Sequence, residues 1–491
     1  MLFTSLTFLI AFPVFCALFF VTPAKHQPTL LLLGSGIVSA TFGWATCTWL
    51  IAVTLLGFFL GTALGRVRTA PRLTAAIVLV IAPLLVLKYT NFAVDSTQTA
   101  LAWLGVQIEL PHLGATLPVG ISFYTFSVVG YLIDVYVERT GPEAKLARFA
   151  LFTSFYPKFV AGPVERTEGF LPQIDAAKRF DYIRVTDGIR IMGGGLVKKL
   201  VIADRLAPMV DGVYRNPRDY GGLVLVLTSI CYMFQLYYDF CGYSEMAVGA
   251  GRILGYDLRW NFNRPYAARS ISDYWRRWHI SLTSWFFEYI FAPIAGALRH
   301  WKHGMVITAL MATFLVSGLW HGAQWTFVLY GAAHGTAMCL EYLTANARKR
   351  IRIWVPARLY AFLGWGLTFS FVAGTDVLFR SRTINDAGTI LRNMFGGIRP
   401  DLSYLAEGHF SAYSMRSLLS GLPVLRVELA IAAAAIVCVE VAGFVGRTQP
   451  LREQLLAQPA WLRWSVYYAA AAAIVYFGSQ NAATPFVYGK F

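Results

Sequence analysis

Residues 304–340 form a run of 37 positions without a single Lys, Arg, Asp or Glu. Residues 221–238 and 464–489 carry none either, and Lys25 is the only charged residue before Arg66. A helix rises about 1.5 Å per residue and the bilayer hydrocarbon core is about 30 Å thick, so about 20 apolar residues cross it once. Runs of this length and polarity select membrane-spanning helices. Counted along the chain, they give ten to thirteen candidate spans and an all-α, polytopic membrane protein.

Composition agrees with that reading. Of 491 residues, 57% are hydrophobic and 14% charged, against roughly 45–50% and about 25% in an ordinary soluble domain. The net charge of +16 could serve nucleic acid, a membrane surface or an anionic substrate. The basic residues fall in short clusters between apolar runs: Arg66, Arg68 and Arg72; residues 252–277; and Arg348, Lys349, Arg350, Arg352 and Arg358. This distribution excludes an extended nucleic-acid-binding face and matches connectors held on the cytoplasmic side.

The apolar run at residues 2–21 has no positive charge before it and is expected to be a retained first helix rather than a signal peptide. The six cysteines lack C-x-x-C spacing, so neither disulfides nor a metal site is expected. Residues 1–140 read as spans broken at Pro13, Gly34, Gly43 and Pro83, and residues 141–220 as an interfacial region. From residue 221, spans alternate with basic connectors. Residues 378–425 form the longest polar connection, and two more spans follow.

Two stretches carry chemistry. Residues 270–282 read SISDYWRRWHISL. Ser270 and Asp273 approximate a helix capping box. On a continuous helix Trp275, Trp278, His279 and Leu282 share one face, while Arg276 and Arg277 project elsewhere toward lipid or donor phosphates. Residues 317–325 read SGLWHGAQW in the middle of the longest uncharged run. That run exceeds one span and falls short of two with a turn, so either the helix continues past the bilayer or two segments meet near His321. Ser317, Gly318 and Gly322 leave the surface beside His321 nearly bare, which gives room for a substrate. The Gly318-x-x-x-Gly322 spacing equally suits close helix packing. An ionisable group at this depth is a functional candidate, with a structural hydrogen-bonding role as the alternative. Asp239 and Glu245, in the stretch QLYYDFCGYSE, could orient a histidine or satisfy an arginine. His334 ranks below His321, and His300 and His303 read as a solvated connector.

Together these stretches resemble the membrane-bound O-acyltransferase (MBOAT) family, in its branch of alginate O-acetyltransferase integral-membrane subunits. In chain order the resemblance lies in LPVGISFYTF (117–126), YPKFVAGP (156–163), IADRL (202–206), YDFCGYSE (238–245), NFNRPY (261–266), the 275–282 block and 317–323. Lys158, Cys241, Glu245 and Glu288 depart from the residues usual in that branch. The resemblance implies one integral-membrane domain over residues 1–491. Its motif-bearing core covers about 115–335, flanked by peripheral transmembrane helices at 1–114 and 336–491, with short re-entrant or interfacial helices around a central funnel.

By the same resemblance His321 is the catalytic histidine and His279 the second functional one. Trp278, Arg276, Arg277, Asp239, Ser317, Trp320, Asn263 and Arg264 are the expected substrate-contacting set. The implied reaction passes an acetyl group from a cytoplasmic donor, acetyl-coenzyme A, towards hydroxyls of a secreted polysaccharide such as alginate. No permanently bound cofactor or metal is expected. Membrane lipid and periplasmic or membrane-attached acetyltransferase proteins are the expected partners, and a Gram-negative inner membrane the location. The alternatives are acyl transfer to a cell-wall polymer, by peptidoglycan O-acetylation or teichoic acid D-alanylation, and a secondary transporter that uses Asp239, Glu440 and the histidines as proton-relay groups.

Overall fold

The computed structural model describes residues 3–404, 426–446 and 451–478. The described residues are helical and contain no strand. Residues 405–425 of the expected polar connection and the end of the uncharged 464–489 run lie outside them. Six described helices are long and apolar enough to cross a membrane. The ten to thirteen candidate spans counted from sequence are apolar stretches, several of which fold as shorter helices, among them Leu6–Val21 and Ile121–Tyr136.

Contacts group the chain into two compact units. The first, residues 1–192 with 243–260, opens with α1 (Leu6–Val21), α2 (Gln27–Ala40), α3 (Trp44–Arg66) and α4 (Ala70–Trp103). Pro13 and Pro83 interrupt neither α1 nor α4, contrary to the sequence expectation. Proline is tolerated in membrane helices because neighbouring groups re-satisfy the freed backbone. Gly34 lies inside α2, and the break falls at Gly43, between α2 and α3. The unit continues through α5 (Ile121–Tyr136), α6 (Leu146–Ser154), α7 (Tyr156–Phe159), α8 (Thr167–Asp175) and most of α9 (Tyr182–Leu196). The 117–126 and 156–163 motifs meet here, with the Tyr124 and Phe159 rings stacked 6.2 Å apart. Lys158 is buried with its ammonium 3.9 Å from the centre of the Phe152 ring. Burial pushes that ammonium down to about 7, against the opposing pull of Glu165.

The second unit comprises residues 193–242 and 261–490. Its helices are α10 (Asp204–Arg215), the first part of α11 (Gly222–Ile253), the short α12 (Ile271–Trp275), α13 (Ile280–Phe286) and α14 (Ala292–Ala297), and the pair α15 (His303–His321) and α16 (Trp325–Leu343). Then come α17 (Ala345–Trp354), α18 (Ala357–Arg380), α19 (Ile384–Tyr404), α20 (Arg426–Val445), α21 (Leu451–Leu456) and α22 (Ala460–Phe477). Much of the expected polar connection after residue 378 is therefore helix α19. The uncharged 304–340 run resolves into two segments that meet at His321, where Gly322 is extended.

Close packing holds α15 and α16 together. A Cβ on Gly318 would collide with the Phe327 carbonyl oxygen and stand 3.1 Å from Gly331 Cα, and a Cβ on Gly331 would collide with the Phe314 carbonyl oxygen. A Cβ on Gly322 would strike the Phe327 ring. These glycines seat one helix on the other, so they do not provide the substrate room that the sequence suggested beside His321.

Candidate active site

The SISDYWRRWHISL stretch is not one helix. Ser270 caps α12 as expected, accepting from the Asp273 N–H at 3.2 Å, but the helix ends at Trp275 and a new one starts at Ile280. Between them His279 adopts a left-handed conformation with φ of 42°. Such a residue costs roughly 1–2 kcal/mol and persists only where its surroundings fix it. Here the 261–266 motif does so. The Ile280 N–H donates to the Asn261 carbonyl at 2.8 Å, the Asn263 N–H donates to the Arg277 carbonyl at 3.0 Å, and the Ser281 hydroxyl donates to Asn261 Oδ1 at 2.6 Å. Trp278 and His279 nevertheless both point inward, at 1% exposure each. The direction read from a helical stripe is right although the stripe is not helical.

A chamber of about 570 Å³ opens beside these residues. Trp278 and His279 line it from the α12–α13 break, and Ser317 and His321 from α15. Ser272 and Arg276 lie on its wall too, and most of the remaining lining is apolar, with Phe286, Phe314 and Met338 prominent. An apolar space with a few convergent polar groups is the usual form of a small-molecule site. Trp320 packs against both histidines, with ring centres 5.9 Å from His279 and 5.0 Å from His321. Phe240 and Phe379 close the other sides, 4.6 Å from His279 and 4.9 Å from His321. Burial pushes the His279 imidazole down to about 3, because taking the ring out of bulk solvent disfavours its charged form. His279 is therefore neutral at any ordinary pH.

The structure thus brings His279, His321, Trp278, Arg276 and Ser317 to one chamber. Trp320 buttresses it, whereas Arg277, Asp239, Asn263 and Arg264 are placed elsewhere. Arg277 pairs with Asp273 at 2.8 Å. Asp239 is buried against Lys199 at 2.5 Å, and the same ammonium reaches Asp204 at 2.7 Å. Asn263 serves the backbone pairing described above, and Arg264 lies over the Phe444 ring at 6.0 Å. Glu440 accepts from the Tyr238 hydroxyl at 2.9 Å. His334 is fully buried, taking the Trp275 indole N–H at 3.2 Å and sitting 3.0 Å from the Thr375 hydroxyl. His303 lies 2.9 Å from the exposed Tyr342 hydroxyl.

Sequence reasoning missed Glu341. Its carboxylate accepts from the Ser272 N–H at 3.0 Å and the Ser272 hydroxyl at 2.6 Å, anchoring the start of α12. The signal was a lone acidic residue immediately after 37 uncharged ones. It also missed Lys199, the partner of Asp239. The aromatic and aliphatic residues of the chamber wall carry no sequence signal that separates them from other apolar positions.

Six described helices long and apolar enough to cross a membrane, with two buried histidines on one apolar chamber, define a membrane-embedded enzyme as the class to compare with. The model of the MBOAT, membrane-bound O-acyltransferase family, matches residues 120–379, and the chain belongs to that family. It is 33% identical over 434 residues to the probable alginate O-acetylase AlgI of Azotobacter vinelandii, covering 87% of this chain and 84% of that protein. A peptidoglycan O-acetyltransferase of Helicobacter pylori is 33% identical over 346 residues, 65% of this chain and 64% of that protein. A teichoic acid D-alanyltransferase of Bacillus subtilis is 28% identical over 271 residues, 52% and 66% of the two chains. The protein is a multi-pass integral membrane O-acyltransferase.

Proposed function

We propose that this enzyme passes acetyl groups from acetyl-coenzyme A towards hydroxyls of a secreted polysaccharide of the alginate type, in a Gram-negative inner membrane. The observation that carries the reading is the chamber that joins His279 and His321. Similarity to alginate O-acetylases over most of the chain supports the acceptor class.

Where charge collects supports entry of the donor from the cytoplasm. Tyr342 at the end of α16 lies against His303 at the start of α15, and Glu341 holds the start of α12. These ends therefore share one side, together with Arg269, Arg276, Lys302 and the basic α17. Under the positive-inside rule this side faces the cytoplasm. From Leu310 to His321 the chamber follows α15 for eleven residues, about 16 Å at 1.5 Å per residue. A slender thioester arm entering past Arg276 would bring its acyl group to His321. Acting as the base, the His321 imidazole takes the acceptor hydroxyl proton as the oxygen attacks the thioester carbonyl carbon. The new C–O ester bond forms, the C–S bond breaks, and the proton passes to the departing thiolate. Neutral His279 donates a hydrogen bond to the carbonyl oxygen as negative charge develops there. No group is held permanently, since acetyl-coenzyme A enters and leaves as substrate. Periplasmic or membrane-attached acetyltransferases would carry the group onward to polymer.

Purified protein in lipid nanodiscs, given acetyl-labelled acetyl-coenzyme A, a periplasmic acetyltransferase partner and an oligosaccharide acceptor, should form labelled ester, and His321→Ala should not. Transfer that requires a loaded acyl-carrier protein and ignores acetyl-coenzyme A would move the reading to D-alanylation. Proton-driven flux that survives loss of both histidines would move it to a transporter.

A further inference from the structure

An open groove of about 540 Å³ lies at the start of α18, outside the chamber, and the two share no lining residue. One wall is the segment bearing Ala267 and Arg269, and the other is a face of α18 carrying Arg358, Phe362 and Trp365. These last three fall at i, i+4 and i+7 and form one stripe. A Cβ on Gly364 would stand 2.7 Å from the Arg269 carbonyl oxygen, so the 267–269 segment rides directly on the helix. The Trp365 indole N–H donates to the Tyr266 carbonyl at 2.9 Å and pins the ring between the walls.

The groove is polarised along a membrane-spanning helix. Arg358 in the first turn of α18 and Arg269 on the facing segment line it, and Phe362, 61% exposed, continues the wall inward along the apolar face. Neither Arg269 nor Arg358 is ion-paired to a described residue, in contrast to Arg277 with Asp273 and Arg380 with Asp211. The neighbouring α17 adds the exposed Lys349, Arg350 and Arg352, with Ile353 and Trp354 exposed beside them. Cationic groups at the interface end and apolar rings below them complement an amphiphile whose charged end is a phosphate.

We infer that this groove binds the headgroup of an anionic phospholipid, with Arg269 and Arg358 on the phosphate and an acyl chain along Phe362. The site is independent of the acyl-transfer reading, because its ligand is a lipid and its readout is binding. Full-length protein in detergent, titrated with phosphatidylglycerol or phosphatidylcholine and read by native mass spectrometry, tests it. Phosphatidylglycerol should bind at least about tenfold tighter than phosphatidylcholine. The double variant Arg269→Gln, Arg358→Gln should weaken phosphatidylglycerol roughly 30-fold, from two basic contacts at the interface, while Arg269→Lys, Arg358→Lys keeps most of the preference and shows that the fold is intact. Equal binding of the two lipids, or no loss in the Gln double variant, overturns the assignment. So does displacement of phosphatidylglycerol by free coenzyme A, which would give the groove to the donor's phosphates.

Discussion

Gly318→Ala adds one methyl group at the crossing of α15 and α16, three residues before His321. The new carbon would overlap the Phe327 carbonyl oxygen and crowd the Gly331 backbone at 3.1 Å. Both neighbours are main chain, so no side chain can rotate away and the two helices must separate by a distance of order one ångström. Overpacking of this kind costs about 1–3 kcal/mol, and a misplacement of about 1 Å at a reacting group costs about 100-fold in rate. The expected result is a lower unfolding temperature in nanodiscs and acyl transfer reduced roughly 10- to 100-fold. Gly374→Ala in α18 is the control: nothing lies within 4 Å of its Cβ, so the rate should hold and stability should rise by up to about 1 kcal/mol. Wild-type stability and rate in Gly318→Ala would refute the packing account.

Three further outcomes follow from the geometry. Ser317→Leu projects bulk into the chamber beside His321, so transfer should fall by about tenfold or more with unfolding unchanged, whereas Ser317→Ala should retain activity. Glu341→Ala leaves the Ser272 N–H and hydroxyl without their acceptor and should destabilise the protein by roughly 1–3 kcal/mol, with Glu341→Gln restoring part of that loss in a thermal melt. Because the Lys158 ammonium is held down to about 7 in the folded protein from an ordinary 10.5, the unfolded chain binds more protons between these values. Wild-type stability should therefore rise with pH from about 7 to about 10.5, and Lys158→Met should flatten that rise in melts run over the same range.

The membrane class was legible because apolar length and the clustering of charge report directly on the bilayer. The two histidines were legible through motif resemblance, and the capping of α12 through Ser270 and Asp273. What misled was local continuity. Periodicity treated residues 270–282 as one helix, but pairing of Ile280 and Arg277 with the 261–263 segment breaks it at His279. That contact joins positions well apart in the chain and leaves no trace in a helical pattern. The bare surface at Gly318 and Gly322 read as substrate space because sequence cannot say which face meets α16. Asp239 read as a substrate contact because Lys199, a full helix earlier in the chain, gave no sign that it would reach it.

The most direct test of the central claim is the O-acetyl content of surface polysaccharide in cells carrying wild-type protein, His321→Ala or His279→Ala, with membrane levels of each matched. The account predicts that acetyl ester is lost in His321→Ala and strongly reduced in His279→Ala. Unchanged acetylation in both variants would contradict acyl transfer at this chamber.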